Sequence, residues 1–382
     1  MPQVYLDHSA TTPVRAEVAE LMWEYLTRKF GNPSTVYSYG REAKKGLEKA
    51  REQVAGLIKA QPEEIIFTGG GTEADNLAIA GIAYAYAERG RHLITSAIEH
   101  QAVLATCKSL ERQGFKITVL PVDKQGLVRL EELKKAITKE TILISIMHVN
   151  NEVGTIQPIE EIGAIARERQ LVFHTDAVQS LGKIPVDVEK LQVDLLTGSG
   201  HKFYGPKGSG FLYLSKGVKL APHVFGGGQE RAYRPGTENV PSIVGMGLAV
   251  ELAEREREKE MSRLADLRDK LVRGLQERIP QIRLNGHPTL RIAGNANLCF
   301  PGVEGEALLQ NLDLKGICVS GGSACSAGSA EPSHVLLAMG IPPELAKSSL
   351  RMTLGMDNTE EQINYVVEQL AQIYDAVSSF VN

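Results

Sequence analysis

Between Glu64 and Leu214 short apolar runs alternate with helical stripes, and this alternation limits the fold more than any other feature of the chain. Glu64–Phe67, His92–Ser96, Ile117–Pro121, Thr141–Val149, Leu171–Asp176, Val193–Thr197 and Phe211–Leu214 read as strands. Helical patterns lie between them: from Thr72 to about Arg89, between His92–Ser96 and Ile117–Pro121, and over Glu160–Arg169. Upstream, Leu47, Ala50, Val54, Leu57 and Ile58 make an apolar stripe on a helix over Arg41–Ala60, which Pro62 ends. Strands separated in this way predict an α/β fold with a mostly parallel central sheet and helices on both faces. Ligands of such sheets sit at the carboxyl ends of the strands.

The remainder of the chain has a different pattern. Pro241–Arg278 is one long helical region, densely charged from Glu251 onward, and reads as a bridge leaving the large domain. Short strands are predicted around Asn297–Phe300 and Ile317–Val319. The last helix opens on a capping box, Thr359 to Gln362, and carries the stripe Ile363, Val366, Val367, Leu370, Ile373, Tyr374 and Val377. These elements predict a smaller α+β domain. The boundaries expected are an N-terminal segment over 1–14 packing with the small domain, a large domain over 15–256 and a small domain over 257–382. Tyr5–Pro13 is too polar to be a core strand.

With 382 residues the chain is too long for one compact core, and 43% hydrophobic with 23% charged residues is ordinary for a globular protein. A net charge of -4 gives no basic excess for nucleic acid or an anionic membrane. No apolar run reaches the length of a membrane span, and the N-terminus lacks the regions of a signal peptide. The cysteines Cys107, Cys299, Cys318 and Cys325 form no CxxC pair, so neither a disulfide framework nor a zinc site is expected, and the pattern suits a reducing cytoplasm.

The residues with chemistry to offer fall at strand ends. In SGHKFYGPKGSG, Ser199–Gly210, Lys202 follows His201 on a tight turn between two predicted core strands, with Gly205 and Pro206 just beyond. A lysine fixed there suits a Schiff base; a surface loop lysine is the plainer alternative. Gly69–Gly71 and Thr72 stand between a strand and a helix, where backbone amides and the helix N-terminus favour an anion, although a tight turn with an ordinary cap gives the same sequence. Asp176 ends LVFHTD, either to keep a pyridine nitrogen protonated or to cap the next segment of chain. Gln179 and His201 can add hydrogen bonds, and His100, after AIE, can stack on a flat cofactor or serve structure. Cys325 sits among small residues in SGGSACSAGSAEPSHV, a loop composition that suits a reactive thiol. Arg351 can clamp a carboxylate bidentately, or be a plain surface arginine. A lysine, a phosphate cradle and a strand-end carboxylate in this order fit pyridoxal phosphate.

Here the chain resembles a known family. LDHSATTP, FTGGGTEADNLAI, EHQAVL, VNNEVGTIQP, HTDAVQSLGK, SGHKFYGPKG, FGGGQERAYRPGTENV and SGGSACSAGSAEPSHVL look like successive motifs of the NifS/IscS-like cysteine desulfurases, of the class-V aminotransferase family, and cover nearly the whole chain. The long loop around Cys325 resembles group I of that family. The resemblance implies the pyridoxal phosphate-dependent fold-type I architecture, a homodimer, and conversion of L-cysteine to L-alanine with the sulfur leaving as a persulfide. It implies Lys202 as the Schiff-base lysine and Asp176 as partner of the pyridine nitrogen. Gln179 is the implied partner of the phenolic oxygen and His100 the stacking, catalytic histidine. Gly71, Thr72, Ser199 and His201 become phosphate contacts, and Thr237 reaches the phosphate of the other subunit's cofactor. Asn151, which also borders the cofactor, and Arg351 hold the substrate. Cys325 becomes persulfidated. No stable metal site is implied, Cys325 being at most a transient iron–sulfur ligand.

The departures are Gly200, where alanine is usual, and Ser326, where threonine often follows the cysteine. The chain ends at Asn382 soon after its last helix, whereas relatives carry a longer tail that helps dock a scaffold; an iron–sulfur scaffold is thus implied less strongly than a sulfur acceptor protein in general. A selenocysteine lyase, another aminotransferase-like enzyme, and a catalytically silent member of the fold acting as a scaffold are the alternatives. An intact Lys202, Asp176 and Cys325 speak against the last.

Overall fold

The computed structural model describes residues 3–321 and 331–379. In chain order the first part comprises β1 (Val4–Tyr5), α1 (Ala16–Thr27), α2 (Ser38–Ile58), β2 (Ile65–Thr68), α3 (Gly71–Ala85), β3 (His92–Ser96), α4 (Gln101–Glu111), β4 (Lys116–Leu120) and α5 (Leu130–Ala136). It continues with β5 (Thr141–Ser145), α6 (Ile159–Glu168), β6 (Val172–Asp176), α7 (Val188–Leu191), β7 (Leu195–Ser199), β8 (Gly210–Leu214) and α8 (Val240–Arg278). The second part adds β9 (Arg283–Leu284), β10 (Asn295–Cys299), α9 (Gly305–Leu314), β11 (Ile317–Cys318), β12 (Ser320–Gly321), α10 (His334–Ala338), α11 (Pro343–Lys347), β13 (Ser349–Thr353) and α12 (Glu360–Ser379).

The alternation read from the sequence builds a seven-stranded sheet in the order β2-β8-β7-β6-β5-β3-β4. Strands β4, β3, β5, β6 and β7 run parallel, and β8, between β7 and β2, is antiparallel to both. Strands β3, β5, β6, β7 and β8 are buried along their whole length, as expected of strands covered by helices on both faces. Separate apolar clusters lie on the two sides, one holding Phe173, Leu196 and Met246, the other Leu143, Leu195 and Leu212. Thr141–Val149 is a strand only to Ser145; the rest turns into the loop that carries Asn151. Helix α2 ends at Ile58, with Lys59 in the left-handed region at φ 58, and Pro62 opens the next short turn.

Helix α8 spans 39 residues, about 58 Å at helical rise. Asn239 caps it, its Oδ1 accepting from Ser242 N, and Pro241 occupies the first turn. Its first half, with Ile243, Met246 and Val250, packs on the large sheet. Its second half, with Leu264, Leu271 and Leu275, joins a different core built with Leu298, Leu350, Met352 and the stripe of α12. One helix therefore fixes two cores. The capping box of α12 is present: Thr359 N donates to Gln362 Oε1 and Gln362 N to Thr359 Oγ1, each at 3.3 Å.

One expectation is corrected. The N-terminal segment does supply a strand, for Val4 and Leu6 are fully buried and β1 pairs in parallel with β11. Alternation of buried Val4 and Leu6 with polar neighbours is a period-2 signal carried by two residues only, too few to read. Beyond β1 the segment crosses to the large sheet.

Candidate active site

The site lies where β2, β3, β6 and β7 end. Strand β2 delivers the chain to Gly69–Gly71 and directly into α3. Gly70 has φ 152, which side chains rarely adopt, and a Cβ on Gly71 would come within 2.9 Å of Val178 Cγ2. Both positions therefore require glycine, one for its backbone and one for space. A cleft opens over this turn, lined by Gly71, Thr72, Ser199, His201 and the cation Lys207. Amides at a helix N-terminus, two hydroxyls and a lysine suit a phosphate dianion.

Lys202 ends a short turn, Gly200–Lys202, directly after β7. Its Nζ donates to the carbonyls of Ser9 at 2.6 Å and Ala10 at 2.7 Å. The N-terminal segment braces the same turn: Thr12 N and Oγ1 both donate to His201 O, and Tyr204 N donates to Thr12 Oγ1 at 2.8 Å. His201 Nδ1 lies 3.1 Å from Thr11 Oγ1. Burial, then Lys202, Lys207 and Lys183, push the His201 ring down to about 4, so it is neutral at physiological pH.

Asp176 is buried at the end of β6, its Oδ1 accepting from Val178 N at 2.9 Å. The capping role and the strand-end position thus coexist. Burial raises its proton affinity, offset in part by His100, the Val178 amide and Lys202. Near it lies Asp75, fully buried and pushed well above the usual carboxylate range by burial and by Asp176. The two carboxyls titrate as a pair, and burial pushes both upward. His174, 3.7 Å from Asp75, is pushed down to about 3 by burial and is neutral. A buried carboxylate with a raised proton affinity gains most from a cation placed against it, and a protonated pyridine is such a cation. The cradle and this carboxylate together fit pyridoxal phosphate.

His100 caps α4, its Nδ1 accepting from Ala102 N at 3.1 Å, so a neutral ring carries its proton on Nε2. It lines a cleft that shares Thr72 with the glycine turn. Gln179 is buried and donates from Nε2 to Ser9 O at 3.0 Å, the carbonyl that also receives Lys202.

Arg351 is not a surface arginine; it is 1% exposed in β13. Nη2 donates to Asp7 Oδ1 at 2.7 Å and Nη1 to Asn151 O at 3.3 Å, while Nε has no partner. A buried guanidinium with one open donor is prepared for a carboxylate. Thr237 is exposed on the loop before α8 and is absent from the lining of its own chain's cleft. Cys325 lies outside the described residues. The chain reappears at α10, where Ser333 caps the helix and donates to Glu152 Oε2, and His334 Nε2 lies 3.0 Å from Glu99 O.

Sequence reasoning missed Asp7, Asp75, Lys183 and the Ser9–Thr12 brace. LDHSATTP carried the signal for the brace, but nothing local says that such a segment crosses to a turn nearly two hundred residues away.

Similarity to known proteins decides the family. The class-V aminotransferase family matches residues 4–366. The chain belongs to the class-V aminotransferases. Within this family it is 54% identical over 373 residues to the cysteine desulfurase IscS of Dictyoglomus turgidum, covering 98% of this chain and 95% of that one. It is 56% identical to the cysteine desulfurase IscS of Methanosarcina thermophila, covering 97% and 91%. Among solved structures, a NifS-like protein superposes with a TM-score of 0.93 at 40% identity, covering 98% of this chain and all of the other. A NifS-like protein from Rickettsia africae gives a TM-score of 0.89 at 34% identity, covering 98% of this chain and all of the other. This class-V aminotransferase is therefore of the NifS/IscS-like branch, whose members are pyridoxal phosphate-dependent cysteine desulfurases.

Proposed function

We propose that this site converts L-cysteine to L-alanine and hands the sulfur, as a persulfide on Cys325, to an acceptor protein for iron–sulfur cluster or other sulfur-cofactor assembly. The observation that carries the reading is that the Gly69–Thr72 cradle, buried Asp176 and Lys202 follow the ends of β2, β6 and β7, with Ser199 beside Gly71 and Lys202 acting on Asp176. Gly71, Thr72, Ser199 and His201 would hold the cofactor's phosphate, His100 would serve its ring, and Gln179 would donate to its phenolic oxygen. Asp176 holds a proton on the ring nitrogen. Bound in this way, the cofactor supplies a sink for the electrons left on the substrate Cα. Lys202 Nζ would anchor the cofactor and, as a free amine, would move the substrate's Cα proton. Arg351 and Asn151 orient the substrate carboxylate. The Cys325 thiolate then attacks the substrate sulfur: the S–S bond forms, the C–S bond breaks, and its electrons remain on carbon.

Four further readings complete the proposal. Residues 1–14 serve the small domain, 15–256 form the large domain and 257–382 the small one. The protein is a homodimer in which Thr237 completes the partner's phosphate site; exposed Trp23, Leu26 and Phe30 offer apolar surface for it. Three free cysteines, Cys107, Cys299 and Cys318, suit a reducing cytoplasm. Among the described residues no helix is long and apolar enough to cross a membrane.

The test is stoichiometry. Holoenzyme given L-cysteine and a reductant should release alanine and sulfide one for one. Pyruvate or a transaminated keto acid in place of alanine would contradict the assignment.

A further inference from the structure

Gln179 and Lys183 lie four residues apart on a turn that folds back on itself. Leu181 N and Ser180 N both donate to Ala177 O, and Lys183 N donates to Ser180 O. Gly182 between them has φ 71, a conformation that favours glycine. The turn brings Lys183 Nζ to Gln179 Oε1, where it donates at 3.1 Å. The other end of the same carboxamide, Nε2, donates to Ser9 O at 3.0 Å, and Ser9 O also accepts from Lys202 Nζ at 2.6 Å.

These contacts leave the amide one favourable orientation. Reversed, it would set Oε1 against the Ser9 carbonyl and its NH2 against an ammonium, two like-with-like contacts in a buried site. Held as observed, Nε2 keeps a second hydrogen beyond the one given to Ser9. Lys183 is itself an unusual group to place here. Among the described residues no ion pair joins it, and burial, then Lys202 and Arg351, push it down to about 7. His8 and His201 also feel its charge. Lys202, Arg351, His8 and His201 interact with its charge, and Arg15, Tyr204, Glu256, Arg257 and Glu260 line the same cavity. Lys183 is half-buried, and its Nζ is held by the hydrogen bond to Gln179 Oε1.

We propose that Lys183 is a positioning residue, fixing the Gln179 carboxamide with its nitrogen toward the cofactor's phenolic oxygen and so lowering the proton affinity of the cofactor's linkage to Lys202. The proposal rests on the role given to Gln179 under the proposed function. A donor on the phenolic oxygen withdraws charge from it, and the neighbouring imine nitrogen then holds its proton less tightly. Lys183 acts through Gln179 and touches neither substrate nor cofactor.

The experiment is a pH titration of the visible absorbance of the holoenzyme, without substrate, in a double-mutant cycle. Lys183→Met should raise the midpoint by about half to one pH unit, the size of shift that one lost hydrogen bond to a charged form gives. Gln179→Leu should raise it at least as far, and the double variant no further than Gln179→Leu alone. Lys183→Arg, which retains a donor for the same oxygen, should keep the wild-type midpoint. An unmoved midpoint in Lys183→Met beside a moved one in Gln179→Leu overturns the proposal and leaves the role of Gln179 intact. So does a Lys183→Met shift that persists in full in the Gln179→Leu background. An unmoved midpoint in Gln179→Leu removes the role of Gln179, and the proposal with it. If Lys183→Met does not fold, a Lys183→Arg midpoint displaced as far as that of Gln179→Leu overturns it equally.

Discussion

Glu99 shows how strongly single residues at this site are perturbed. It is fully buried after β3, accepts from Ser96 Oγ at 2.6 Å and from Met147 N, and is pushed up to about 8, mainly by burial. Between the ordinary glutamate value and pH 8 the folded chain keeps a proton that the unfolded chain has released. Stability therefore falls as pH rises through this window, by up to about 1.4 kcal/mol per pH unit. Glu99→Gln keeps the shape and removes the titration. The melting temperature of the variant, measured against wild type from pH 5 to 8, should gain on it steadily as pH rises; a difference independent of pH would contradict this. Glu99 carried no signal in the sequence, where it is one acidic residue beside His100. Lys202, Asp176 and the glycine turn were legible because strand ends and turn chemistry mark them locally. Asp7 was not, because its pairing with Arg351 at 2.7 Å joins residues 344 positions apart.

At the scale of elements, the loop leading to Thr237 is held by an ion pair under the sheet. Arg51 of α2 meets Glu230 bidentately at 2.8 and 2.7 Å, and Phe67 N also donates to Glu230. The Arg51 and Glu230 side chains are 7% and 2% exposed. Glu230, Arg231 and Ala232 all have left-handed φ values, 44, 57 and 65, so the backbone is strained where the pair holds it. Glu230→Ala strands a buried guanidinium and should cost about 3–5 kcal/mol. Chemical denaturation of the holoenzyme checks it, and a loss below about 1 kcal/mol, the range of an exposed pair, would contradict a buried anchor. The elements that were read from the sequence fall within a few residues of their observed bounds because their periodicities are long, whereas α1, α5 and α9 were not read. The two-residue β1, β9, β11 and β12 were mostly beyond reach, since strands so short are set by their partners rather than by their own pattern.

At the scale of the whole molecule, one chain leaves Thr237 exposed outside the lining of its own cleft and Trp23 and Phe30 each 64% exposed. The proposed symmetric dimer would account for both features, with each Thr237 serving the other cofactor. Light scattering at working concentration should give twice the 41.6 kDa chain mass. Thr237→Ala should weaken cofactor binding in both sites, and a fully active monomer would contradict the arrangement. The long α8 carries the two cores as one body, while α10 seats Val335 and Leu336 in the core of the large sheet. Strand β12, on the smaller sheet, and α10 are the described elements that flank Cys325 in the sequence. The central claim is that sulfur passes through that cysteine. Mass spectrometry of the holoenzyme after one turnover with L-cysteine tests it most directly, with Cys325→Ala alongside. The added sulfur should reside on Cys325, and the variant should bind pyridoxal phosphate but release almost no alanine. Sulfur on Cys107, Cys299 or Cys318, or alanine release by the variant at the wild-type rate, would contradict the account.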